Sequence, residues 1–187
     1  MDTIHGTVER VVYQKDNFYI ARFNVNNDIV TILGNLVNPY VGQELVIDGE
    51  WGSHKDFGRQ FKFNNVKEQI PVTVSAIEKY LAHGPIEGIG EKFAKRIIKH
   101  FGEKTLEIIE NNPDRLAEVD GIAGKRIANM VSGYKKSRDQ RQLMLALFGY
   151  GITYLFFAKI VRLYGEDAAK IVKENPYRLA EDIDGIG

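Results

Sequence analysis

The chain has 187 residues, 25 basic against 25 acidic side chains, no net charge and no cysteine, which excludes disulfides and thiolate metal sites. A composition of 44% hydrophobic and 27% charged residues is that of a folded chain and excludes general disorder. Zero net charge argues mildly against nucleic-acid binding, because an overall basic domain is its usual footprint.

Residues 3–69 have strand character. The segments GTVERVVY, NFYIARFNV, DIVTILGNL, QELVIDGEW and GRQFKFNNVKEQ are rich in Val, Ile, Phe and Tyr. Turn chemistry separates them at Lys15-Asp16-Asn17, Asn26-Asn27-Asp28, Asn38-Pro39 with Gly42, and His54-Lys55-Asp56. An open sheet of such short strands leaves unprotected edges, so the pattern predicts a small closed barrel over residues 1–70. An OB-like barrel is the expected form, with an SH3-like barrel as the competing reading. Within it, alternation assigns Phe61 and Phe63 to the core and leaves Trp51 and Phe57 as candidate stacking platforms beside His54, Lys55, Arg59 and Lys62.

Pro71 marks a change of period. Ser75 and Glu78 have capping-box spacing and helical patterns run from there to the end, so residues 71–187 are expected to form a tandem helix–hairpin–helix domain. The longest uncharged stretch, 143–158, is too short for a membrane span of roughly 20 residues and is interrupted by Gly149 and Gly151, so it is expected to be core. No basic-then-apolar leader follows Met1, and with no cysteine a cytoplasmic location is expected.

The helical half repeats. HFGEKTLEIIENNPDRLAEVDGIAG (100–124) aligns with LYGEDAAKIVKENPYRLAEDIDGIG (163–187). Gly102 and Gly165 suit helix C-termini; Asn112-Pro113 and Asn175-Pro176 suit an N-cap followed by the first helical position. Charge is uneven across the first copy: residues 103–120 are acidic, and 124–141 are basic with Lys125, Arg126, Lys135, Lys136, Arg138 and Arg141.

Glycine hairpins punctuate these helices at Gly88-Ile89-Gly90, Gly121-Ile122-Ala123, Gly149-Tyr150-Gly151 and Gly185-Ile186-Gly187. The first, second and fourth follow an apolar residue, Ile86, Val119 or Ile183, which is the helix–hairpin–helix pattern. Glycine accepts positive φ and lets backbone amides approach a phosphate, which the next helix's N-terminus also attracts. The candidate DNA-binding residues are therefore Gly88, Ile89, Gly90, Lys92 and Lys95 in the first hairpin, and Gly121, Ile122, Lys125 and Arg126 in the second. Ala123 would be strained if it needed positive φ. The third hairpin lacks a cation until Lys159 and is expected to be structural.

No phosphate-loop motif, nucleophile elbow or His-based metal spacing occurs, so no catalytic or metal site and no cofactor are assigned within these residues. The overall expectation is an α+β multidomain chain: an OB-like five-stranded barrel followed by an all-α tandem helix–hairpin–helix domain.

The order of barrel and hairpins, with GTVERVVYQKDNFYIARF, GEWGSHKDFGRQFKF, the run around GPIEGIGEKFAKRIIKHFGEKTLEIIENNPDRLAEVDGI, and NPYRLAEDIDGIG, resembles the N-terminal region of bacterial RecD-like (RecD/TraA-type) ATP-dependent DNA helicases. The resemblance implies a 5′–3′ motor acting in DNA replication, recombination or repair. It also implies a motor region following the hairpins that uses ATP and magnesium, so the chain is expected to stop within the fourth hairpin of a longer enzyme. The partners it implies are DNA, single-stranded or at a single-strand/duplex junction and bound without sequence preference, and single-strand-binding protein as a protein candidate; no membrane partner is expected. Two alternatives stand beside it: a Holliday-junction-binding protein of the RuvA type, and a protein-docking module without direct DNA contact.

Overall fold

The computed structural model describes residues 1–186, and Gly187, the last residue of the expected fourth hairpin, lies outside them. Strands β1 (Asp2–Lys15), β2 (Phe18–Val25), β3 (Asp28–Asn35), β4 (Glu44–His54) and β5 (Gly58–Glu68) close a barrel in the order β1-β2-β3-β5-β4. All neighbours are antiparallel except β3 and β5, which pair in parallel through Thr31–Gln60, Ile32–Phe61 and Leu33–Lys62. That order, with one parallel closure, is the Greek-key arrangement of an OB-like barrel. Alternation places Val8, Ala21, Phe23, Ile32, Leu45, Ile47, Phe61, Phe63 and Val66 inside. Phe61 and Phe63 are core, as their positions in the alternation require.

Seven helices follow among the described residues: α1 (Val74–His83), α2 (Glu91–Phe101), α3 (Thr105–Asn111), α4 (Gly124–Gly149), α5 (Tyr154–Tyr164), α6 (Ala168–Glu174) and α7 (Arg178–Asp182). The N-cap of α1 is Thr73, whose side chain accepts from the Ala76 amide at 3.1 Å. The Ser75–Glu78 capping box expected from the sequence is thus displaced by two residues, because Thr73 offers the same oxygen one half-turn earlier. Gly102 and Gly165 end α2 and α5 at φ 58° and 59°, the left-handed turn that glycine makes without strain. Asn112 and Asn175 do not cap through their side chains. Pro113 instead opens a 3₁₀ turn (Pro113–Glu118), where a missing amide costs nothing.

Two hydrophobic cores result. One is built from α1, α2, α3, the start of α4 and the turns between them: Ile77, Leu81, Ile86, Ile89, Ala94, Ile97, Ile109, Leu116, Ile122 and Met130. The other joins the barrel interior to the later helices, through Leu143, Met144, Leu147, Tyr154, Phe157, Ile160, Leu179 and Ile183. The apolar stretch 143–158 is therefore core, and specifically the part that welds α4 and α5 to the barrel. Polar contacts fix the same joint. The buried Tyr154 hydroxyl accepts from the Val37 amide at 3.0 Å, Asn17 donates to the Ala158 carbonyl at 2.8 Å, and Arg162 pairs with Asp16 at 2.7 Å. The 26-residue α4 spans both cores, contributing Met130 to the first and Leu143, Met144 and Leu147 to the second.

Candidate nucleic-acid interface

Each hairpin is built around one positive-φ glycine followed by an isoleucine, and in the first three a helix N-cap comes next. Gly88, Gly121, Gly151 and Gly185 have φ of 78°, 83°, 82° and 89°. Ile89 and Ile122 are buried and Ile152 is half-buried, which anchors each turn. The N-caps of α2, α4 and α5 are Gly90, Ala123 and Thr153. Two expectations change here. Ala123 has φ −155°, an extended conformation open to any residue, so it carries no strain. The third hairpin is Gly151-Ile152-Thr153, not Gly149-Tyr150-Gly151; Gly149 closes α4 and Tyr150 is 86% exposed. The spacing of Gly149 and Gly151 imitates the motif, while Gly149 occupies the place of the apolar residue that precedes the other turns.

The four turns are arranged as two pairs. A side-chain carbon placed on Gly121 would lie 2.7 Å from the Phe93 ring, and one on Gly185 would lie 3.3 Å from the Phe156 ring. Phe93 and Phe156 occupy the same place in α2 and α5, three residues after the N-cap. Hairpin 2 thus leans on the helix that hairpin 1 starts, and hairpin 4 on the helix that hairpin 3 starts. In the first pair the contact is reciprocal, since Gly88 faces the Asn129 amide group of α4. Gly133 lets α4 close on the Pro85–Ile86 backbone: an added carbon there would sit 2.8 Å from the Pro85 carbonyl oxygen.

The first pair carries the charge. Lys92 and Lys95 lie exposed on one face of α2, three residues apart, and neither has a carboxylate within 4.0 Å among the described residues. The amides of the first turn of α2 have no intrahelical acceptor, and Gly90 supplies no side-chain cap. A side chain on Gly90 would meet nothing within 4 Å, so neither space nor backbone conformation requires glycine there. Glu91 partly opposes an anion at this end and is held by His83 at 3.2 Å.

Hairpin 2 differs. Lys125 is exposed like Lys92, but Arg126 is engaged internally: its guanidinium lies 4.2 Å from the Phe93 ring centre and donates to the Gly121 carbonyl. Arg96 holds the other side of the turn, over the same ring and donating to the Asp120 carbonyl at 3.3 Å. Arg126 is therefore a clamp between the hairpins. Phe93 and Arg96, which the motif reading did not single out, hold the pair together; their only signal in sequence is their place on the buried side of α2. The basic stretch 124–141 is also partly spent within the chain. Arg138 pairs with Glu110 at 2.7 Å and Lys136 with Glu166 at 2.7 Å, so acidic residues of α3 and of the turn after α5 neutralise part of α4. In the second pair, α5 begins with Tyr154, Leu155 and Phe156, and its first cation is Lys159, whose ammonium lies 5.0 Å from the Phe156 ring centre.

On the barrel, Trp51 packs edge-on against Phe61 with ring centres 5.0 Å apart, while Phe57 at the β4–β5 turn is exposed. Among the described residues there is no group of three or more His, Asp or Glu side chains placed to hold a metal ion, and no helix long and apolar enough to cross a membrane.

The comparisons with known proteins follow the two halves. The family of the OB-fold domain of the ATP-dependent DNA helicase YrrC matches residues 1–71, and the family of the helix–hairpin–helix domain of ATP-dependent RecD2 DNA helicases matches residues 136–187. The ATP-dependent RecD2 DNA helicase of Deinococcus radiodurans is 26% identical over 98% of the chain. The chain spans about a quarter (27%) of that relative's length. By its barrel, its hairpin pairs and both domain matches, the chain belongs with the N-terminal region of RecD-like DNA helicases.

Proposed function

We propose that this region binds DNA through the first hairpin pair and positions the strand for a RecD-like, ATP-dependent 5′–3′ helicase in replication, recombination or repair. The observation that carries the reading is Gly90. The backbone conformation suits any residue and an added side-chain carbon would meet nothing within 4 Å, yet the position is bare, beside free α2 amides and the exposed Lys92 and Lys95. A bare N-cap next to unpaired cations suits a phosphate that must come within hydrogen-bonding distance of the backbone.

In this reading Gly88, Ile89 and Gly90 present the amides, Lys92 and Lys95 supply charge, and Gly121, Ile122 and Lys125 form a second, weaker contact. Phosphates carry no base information, so binding is independent of sequence. Its strength falls in the non-specific range, with Kd of roughly 10⁻⁴–10⁻⁶ M at physiological salt. ATP and magnesium serve the motor chemistry of the family, and single-strand-binding protein is a candidate partner in a cytoplasmic setting; neither is assigned to a residue of this chain.

The test is the double variant Gly90→Val with Lys92→Glu, followed by fluorescence anisotropy of a labelled oligonucleotide. Binding is expected to weaken more than tenfold while the thermal midpoint holds, since a Gly90 side chain meets open space. Unchanged affinity in a folded variant would refute the assignment.

A further inference from the structure

The β4–β5 ribbon ends in an aromatic group for which the barrel itself has no use. Phe57, in the turn between the strands, is 72% exposed, and its ring lies 4.7 Å from that of His54 at a tilt of 34°. The His54 Nδ1 accepts from the Asp56 amide at 3.1 Å, which orients the imidazole under Phe57. At the base of the ribbon the Arg59 guanidinium lies 3.8 Å from the Trp51 ring centre, and Trp51 in turn packs on the core residue Phe61. A guanidinium held over an indole ring is restrained in place and keeps N–H groups for an acceptor. Lys55, Arg59 and Lys62 are exposed, and none has a carboxylate within 4.0 Å among the described residues. Glu50, across from Lys62 in the ladder, and Asp56 are the acidic groups at this end of the ribbon.

We infer that this ribbon is a second DNA site, taking an unpaired base on the Phe57 ring and the neighbouring phosphates on Lys55 and Arg59. The inference rests on the DNA-binding reading and adds the chemical form of the ligand. A protein partner would want a contiguous apolar patch, but the neighbours of Phe57 are Lys55, Asp56, Gly58 and Arg59. A single ring ringed by polar and cationic groups suits a flat, polyanionic ligand. In a duplex the base faces are already stacked, so only a single strand can offer one. The arrangement therefore selects unpaired DNA, whereas the hairpins read only phosphates.

Trp51 is the sole tryptophan of the chain, so its emission reports on the ribbon. The experiment uses the whole chain with oligo(dT) and with a blunt-ended duplex of equal charge, in wild type, Phe57→Ala and Lys92→Glu. Stacking is worth about 1–3 kcal/mol per base, so Phe57→Ala should weaken oligo(dT) binding about tenfold and leave duplex binding within about twofold. Saturating oligo(dT) should change Trp51 emission in wild type and also in Lys92→Glu, where the hairpin contact is impaired. With Phe57→Ala weakened and Lys92→Glu unaffected, the ribbon stands and the hairpin reading falls. Unchanged oligo(dT) affinity in Phe57→Ala, an equal loss for duplex, or a Trp51 emission indifferent to saturating oligo(dT) would overturn the ribbon site. Because Phe57 is exposed, the variant keeps its fold.

Discussion

The two hairpin pairs share one frame and differ in what surrounds it. Both use a positive-φ glycine, an isoleucine anchor and an aromatic ring three residues into the next helix. The first pair closes a core of its own and turns exposed lysines outward. The second pair opens α5 with Tyr154, Leu155 and Phe156 and shares the barrel's core. The repeat thus specifies a backbone shape, and the few residues after each turn decide whether that shape carries exposed cations or packs on another part of the chain.

The sharpest break in this comparison is Gly121→Ala against Gly151→Ala. Both glycines have φ above 80°, so both substitutions carry backbone strain of about 1–2 kcal/mol. Only at Gly121 would the added carbon also lie 2.7 Å from a ring, that of Phe93, which adds overpacking of about 1–3 kcal/mol. Denaturant unfolding should therefore show a loss of about 2–5 kcal/mol for Gly121→Ala and about half that or less for Gly151→Ala. Equal losses would mean that the first pair is not locked through Phe93.

Glu68 lies where β5 leaves the barrel toward α1, lining a cleft of about 790 Å³ with Tyr40, Tyr80, Ser137 and Arg141. Burial pushes its carboxyl up to about 7 from an ordinary 4.5, with Arg141 pulling the other way. An acid whose folded pKa is raised favours folding only while protonated. Stability should therefore fall as pH rises from about 4.5 to about 7, by up to about 3 kcal/mol. Glu68→Gln should abolish that fall and be the more stable protein at pH 8. A wild type whose thermal midpoint is flat across this window would contradict it.

A smaller effect tests the weld between the second pair and the barrel. Tyr154→Phe leaves the Val37 amide without its acceptor in a buried place and should cost about 1–3 kcal/mol. The loss should appear in probes of the barrel as well as of α5. Loss confined to the helices would argue that the two unfold separately.

The barrel was legible because its strands alternate cleanly and its turns carry Asn, Asp and Gly; β2, β3 and β5 begin within a residue of the segments that alternation picks out. The hairpin motif was legible for the same local reason, since isoleucine between small residues has few other uses. What escaped was set by packing at a distance. The run Tyr154, Leu155, Phe156, Phe157 is plainly apolar, but nothing in it says that the barrel, and not the first hairpin core, is what it faces. Arg126 was read as a free cation because its engagement depends on Phe93, in another helix. Gly149 misled through mere spacing.

The most direct test of the account reverses one charge in each pair and reads the salt dependence of oligonucleotide binding in the whole chain. Lys92→Glu alters the exposed face of α2, and Lys159→Glu alters the first cation of α5. Each phosphate contact contributes a slope of about −0.7 in log K against log salt for a single strand. Lys92→Glu should lower affinity and reduce the slope by about one contact, and Lys159→Glu should leave both as in wild type. The same losses from both reversals, or a loss from Lys159→Glu alone, would contradict the claim that, of the two hairpin pairs, the first is the one that meets DNA.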